Sequence, residues 1–309
     1  MQTYEVTIPA TFRLHGTLTV PEQVMQHYPA VLIIAGSGKG NRDGNVKKLP
    51  LNLYKDLAEY LTRNGFITLR YDKRGTYQSE GNFDVTGVYD LIDDAVAAVK
   101  FLQNEENVDR DNIFILGHSE GALLAPAVFQ QVAVAGLILL AGAARSSGEL
   151  MQFQVNQLAQ ELKQTPGIKG MFFRIIKLSE RIKRQNQKII KKISNANKDV
   201  IRIKGMKLNA KWYRETLAYD VCEYLKAVTC PVLAISGTKD IQVPPEDVEK
   251  IAQLVQGEAE WHLLNDVNHI LRKYEAEHSL LRVMKEYKAL LDQPIDHELL
   301  AIIINWLNK

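Results

Sequence analysis

Ile113-Phe114-Ile115-Leu116-Gly117-His118-Ser119-Glu120-Gly121-Ala122-Leu123-Leu124 runs from a short apolar stretch through a tight turn into the start of a helical pattern. At its centre is Gly-x-Ser-x-Gly, in the strand–turn–helix setting that gives this pentapeptide meaning. A serine on so tight a turn takes a strained backbone, and its side chain is thrust up out of the sheet. The turn must also approach its neighbours closely, so positions 117 and 121 accept little beyond hydrogen as a side chain. Composition alone would supply such a pattern about once in ten chains of this length. The context therefore carries the weight, together with two partners found downstream.

Working outward, residues 4–8, 14–20, 30–35, 66–71, 112–116, 136–140, 231–236 and 260–264 read as strands. Helical patterns cover 53–64, 88–103, 246–255 and 297–308. Short β-branched runs alternating with amphipathic helices predict an α/β fold: a mostly parallel, eight-stranded sheet covered on both faces.

With 309 residues and 46% hydrophobic content, the chain can bury one large core, with or without an insertion. Lys and Arg number 38 against 36 Asp and Glu, a net charge of +2, which gives no reason to expect nucleic acid as a partner. The charge is uneven, however. Between Ser146 and Arg214 there are 16 basic and four acidic residues, a balance of +12 that leaves −10 on the rest. This boundary divides the chain into a core at 1–145 and 216–309 and a basic helical insertion at 146–215. Within the insertion, Ile168, Ile175, Ile182 and Ile189 recur every seven residues, joined by Met171, Phe172, Leu178 and Ile193. A helical pattern over 168–193 is expected, with this stripe as its buried face and its lysines either solvated or recognising an anionic substrate or surface.

The first residues show no basic stretch followed by an apolar one, so no signal peptide is expected. The apolar run 132–144 is too short to span a bilayer. Cys222 and Cys230 lack metal-ligand spacing and read as reduced thiols of a cytoplasmic protein.

A serine hydroxyl is a poor nucleophile at neutral pH and needs a general base and an acid to orient that base. In a parallel sheet such groups belong on loops at the carboxyl ends of strands. Three loops qualify: Ser119 after 112–116, Asp240 after 231–236, and His269 after 260–264. Asp266 is the rival acid. His262 falls inside a strand, while His278 and His297 fall in helical patterns, which favours His269 as the base. His118 reads as a packing residue. The pairs Asp72/Arg74 and Arg42/Asp43 read as groups that hold loops together.

With its Ser119…Asp240…His269 order, the chain resembles the α/β-hydrolases, near the bacterial serine esterase and S9/S33 peptidase-like branches. The resemblance covers residues 10–145 and 220–309. It rests also on Ala35-Gly36-Ser37-Gly38, Tyr71-Asp72-Lys73-Arg74-Gly75 and Asn268-His269. It departs at Ala35, where many relatives have His, and at Tyr77, where a second Gly is usual. The resemblance implies that the insertion occupies the place of a lid. The backbone N–H of Glu120, and that of Ser37 or Gly38 with Ser37 preferred, are expected to form an oxyanion hole. The expected activity is carboxylesterase, on small or medium acyl esters, with no metal or organic cofactor. Acyl-CoA thioesterase and S9/S33-like peptidase are the alternatives within the class. Outside it stands a ligand-binding or membrane-surface protein using the basic insertion for docking. Oligomeric state is left open.

Overall fold

The computed structural model describes residues 1–22 and 25–309. Eight strands form one sheet: β1 (Gln2–Ile8), β2 (Leu14–Val20), β3 (Tyr28–Ile34), β4 (Ile67–Tyr71), β5 (Val108–His118), β6 (Gly136–Leu140), β7 (Val232–Lys239) and β8 (Ala259–Asn268). Their spatial order is β1-β2-β4-β3-β5-β6-β7-β8. β1 and β2 are antiparallel to their neighbours, and every other pairing is parallel. The order jumps at β3 and β5, whose connections leave toward opposite sides. Such a switch point opens a crevice beyond the strands' carboxyl ends.

The alternation of side chains along each strand builds two cores. Leu32, Ile34, Ile113 and Ile115 face α2 (Val88–Asn104) and α3 (Glu120–Phe129) on one side. Val31, Ile33, Leu116 and Ile138 face α1 (Leu53–Arg63) and the C-terminal helix His297–Leu307 on the other. Both sets are fully buried, as expected of a parallel sheet sandwiched between helix layers.

After β6 the chain leaves the sheet. Ser146 accepts a bond from the Glu149 N–H while Glu149 caps Ser146 in return, a reciprocal cap that starts α4 (Ser147–Gln164). Then come α5 (Gly167–Ile175), α6 (Leu178–Ser194), a hairpin of Val200–Ile203 with Met206–Asn209, and α7 (Ala210–Ala218). Four details differ from the sequence-based expectation. The helical pattern over 168–193 is two helices, broken where Lys177 adopts φ 49°. A β-hairpin joins the helices of the insertion, and α7 runs across the expected boundary at 215/216. Most of the apolar stripe on the first helix faces solvent: Ile168 is 83% exposed and Ile175 69%. The face turned inward carries Gly170, which meets the end of α4 so closely that a Cβ there would stand 1.6 Å from the Thr165 carbonyl oxygen. On the second helix Leu178, Ile182 and Ile189 are half-buried and Ile193 is fully buried, closer to the expectation.

The end of this segment is tied to residues 83–90. The Asn209 side-chain amide donates to the carbonyls of Phe83 and Thr86, and Lys211 pairs with Asp90 at 2.7 Å. Among the described residues no helix is long and apolar enough to cross a membrane.

Candidate active site

β5 ends in the serine turn. Ser119 sits at φ 54° and ψ −115°, a sparsely populated conformation that costs a non-glycine residue about 1–3 kcal/mol and persists only when its surroundings impose it. The surroundings are two close approaches. A Cβ at Gly117 would lie 2.3 Å from the Gly121 carbonyl oxygen, and one at Gly121 would lie 2.0 Å from that of Ile34. The Ser119 N–H donates to the Leu140 carbonyl at 2.9 Å, pinning the turn to the next strand. The serine side chain is thereby presented at the switch point, beyond the end of β5.

The structure brings Asp240, from the end of β7, and His269, just past β8, to this serine. His269 Nε2 lies 3.1 Å from Ser119 Oγ, and its Nδ1 lies 2.7 Å from Asp240 Oδ2. The other oxygen of Asp240, Oδ1, accepts from the N–H groups of Gln242 at 2.8 Å and Val243 at 3.0 Å. Because a carboxylate accepts, Nδ1 of His269 carries the proton and Nε2 is left to accept one. Asp240 and His269 are both buried. The rival acid, Asp266, lies elsewhere and faces Lys239 at 3.8 Å. Of the other histidines, His278 differs from expectation: it lies in an irregular segment, not a helix, paired with Glu286. His262 is in β8 beside Glu260, and His297 opens the C-terminal helix.

Ser37 and Glu120 line one cavity with Ser119. Glu120 is the first residue of α3, where backbone N–H groups have no partner within the helix. The cavity measures about 150 Å³, and most of its walls are apolar. Leu150, Met151 and Gln154 of α4 and Trp212 of α7 supply one side, so the segment between β6 and β7 shapes the space in front of the serine.

The sequence pattern that defines the serine aminopeptidase S33 family matches residues 51–274, well over half of the chain. This chain belongs to that family. It is 27% identical over 298 residues to esterase EstD of Thermotoga maritima, an alignment covering 96% of this chain and 66% of EstD. The chain thus spans just under two thirds of that relative's length. Among solved structures it is similar to Est1E from Butyrivibrio proteoclasticus with ferulic acid bound (18% identity, 94% and 99% coverage, TM-score 0.59). It is similar also to proline iminopeptidase from Mycobacterium smegmatis (15% identity, 99% and 98% coverage, TM-score 0.64). These likenesses show the α/β-hydrolase fold.

Two buried groups of this S33 member, Lys73 and Tyr54, escaped the reading of its sequence. Lys73, after β4, pairs with Glu120 and donates to the Gly36 carbonyl at 2.7 Å. Glu120 also accepts from Trp212 Nε1 at 2.9 Å, so both of its carboxylate oxygens are engaged. Tyr54 of α1 receives the Gly36 N–H at 2.7 Å and stands 3.0 Å from His118 Nδ1. His118 Nε2 is 2.9 Å from the His269 carbonyl, which only accepts, so Nε2 carries the proton and Nδ1 receives the tyrosine's. Burial pushes His118 down to about 3, helped by the nearby His269, so it stays neutral. A chain of bonds thus runs from the Gly36 loop through Tyr54 and His118 to the backbone of His269. No single-residue pattern marks Tyr54 or Lys73, because their roles depend on which loops meet.

Lys73→Met is expected to lower unfolding free energy by about 3–5 kcal/mol, since it leaves the Glu120 carboxylate buried without its cation. Denaturant unfolding checks this, and Lys73→Met/Glu120→Gln should regain most of the loss. Full stability in the single variant would mean the pair does not hold the turn.

Proposed function

We propose that the chain is a serine carboxylesterase acting on small acyl esters. The observation that carries this reading is the line of hydrogen bonds from Asp240 through His269 to Ser119 on a strained turn, opening onto a small apolar cavity. Ser119 Oγ attacks the acyl carbonyl as His269 Nε2 takes its proton, and Asp240 steadies the imidazolium. The N–H groups of Ser37 and Glu120 receive the oxyanion of the tetrahedral intermediate. His269 returns the proton to the departing alcohol, leaving an acyl group on Ser119. A water that gives its proton to His269 then attacks the acyl carbon, and the acid leaves as the proton passes back to Ser119.

Ester rather than peptide is favoured by the cavity's charges. An aminopeptidase must hold the ammonium of its substrate, and the one carboxylate among the described lining residues, Glu120, is already spent on Lys73 and Trp212. EstD, an esterase by name, points the same way. The residues at 146–215 serve in this reading as the lid, since α4 and Trp212 wall the acyl pocket. The two unpaired cysteines favour a cytoplasmic setting.

The size of the cavity sets the substrate range. A void of about 150 Å³ holds a group the size of benzene, so acyl chains of two to about six carbons should be turned over best. A series of p-nitrophenyl esters checks this. An optimum at long chains, or preference for an aminoacyl amide over every ester, would overturn the reading.

A further inference from the structure

Helix α5 turns Gly170 and the half-buried Phe173 toward the protein, while Ile168, Met171, Phe172 and Ile175 stand 83%, 53%, 55% and 69% exposed. Their spacing of i, i+3, i+4 and i+7 puts all four on one stripe. At 100° per residue, Lys169 and Arg174 fall on either side of that stripe, both exposed. Scattered exposed apolar residues need no explanation, but a contiguous set on one helix face does. The surrounding charge says what kind of surface meets it. Of the 16 basic residues between Ser146 and Arg214, only Lys163, Lys211 and Arg214 pair with an acid among the described residues. Thirteen cations are left without one. A second copy of this chain would bring the same cations face to face, which disfavours self-association.

We propose that α5 docks the protein on an anionic lipid surface, its four apolar side chains entering the boundary between headgroups and acyl chains and its flanking cations meeting lipid phosphates. An amphipathic helix binds a membrane through apolar area and attraction to anionic lipid together, and both components are on this segment. The proposal stands apart from the esterase reading, because none of the four residues lines the cavity beside Ser119.

The test is co-sedimentation of the full chain with vesicles of phosphatidylglycerol or of phosphatidylcholine. The protein should sediment with phosphatidylglycerol and about tenfold less with phosphatidylcholine, and the binding should fade as salt rises from about 0.05 to 0.5 M. Ile168→Asp/Phe172→Asp should lower the anionic binding by about tenfold or more. Lys169→Glu/Arg174→Glu should do the same. Both variants should hydrolyse a soluble short ester, if the parent does, at the parent's rate. The apolar pair should melt at the parent's temperature and the charged pair slightly lower, because Arg174 also donates to the carbonyls of Lys163 and Thr165. A folded protein with unchanged turnover separates lost docking from lost folding. The proposal is overturned if the parent ignores anionic vesicles, if either pair of changes leaves binding intact, or if the apolar pair instead abolishes a concentration-dependent dimer.

Discussion

Ser119→Ala is expected to lower kcat on a short acyl ester by about 10⁶, with the fold intact. The magnitude follows from what is removed. The residue left behind has no oxygen to form the acyl-enzyme, so only the oxyanion donors and binding remain to favour direct attack by water. Stability should change little, because alanine inherits the same backbone at φ 54° and the turn is held by Gly117, Gly121 and the bond to Leu140, none of which uses the hydroxyl. The checks are steady-state hydrolysis, thermal melting, and covalent labelling by a fluorophosphonate, which should mark the parent at Ser119 and not the variant. A variant that keeps most of its turnover would remove Ser119 from the chemistry. A parent that hydrolyses no ester and takes no label would favour a binding protein on the same fold.

Asp240→Asn should lower kcat by about 10⁴, the loss that follows when the imidazole is held in the wrong tautomer. The surroundings of Asp240 make this outcome specific. Its Oδ1 accepts from the N–H groups of Gln242 and Val243, so the oxygen of an asparagine amide is held there and its NH₂ is turned toward His269. Nδ1 of His269 then has a donor facing it and must become the acceptor. The ring proton moves to Nε2, which points at Ser119 Oγ and can no longer take its proton. KM should change little, since Asp240 is buried behind the histidine and does not line the cavity. Nitrogen-resolved NMR of the histidine ring reads the tautomer directly, and kinetics give the rate. A rate within tenfold of the parent, or a ring still protonated at Nδ1, would mean that Asp240 does not orient the base.

Much of this was legible in the chain because the signals are local. Eight apolar runs are strands within a few residues of where their patterns place them, and the helices between them fall likewise. Asp240, His269 and Ser119 could each be picked out as candidates by one criterion, a loop at the carboxyl end of a strand. What stayed hidden lacked a local signature. Lys73 reads as an ordinary charged residue in a turn, and its importance comes from burial between Glu120 and the carbonyl of Gly36, 37 positions earlier in the chain. Tyr54 reads as one more apolar position of α1. The stripe from Ile168 to Ile175 shows the opposite failure. Its periodicity is plain, but periodicity tells which residues share a face and not which way that face turns.

The sequence by itself determined the elements and the sharp turn at Ser119 and picked out Asp240 and His269 as its candidate partners, because strand patterning and the steric demands of Gly117 and Gly121 act over a few neighbours. Tertiary structure alone decided the distances of 2.7 and 3.1 Å that join Asp240, His269 and Ser119, the size of the cavity, and the outward face of α5. Each of these depends on segments far apart in the chain being packed against one another, and packing is set by the whole core at once.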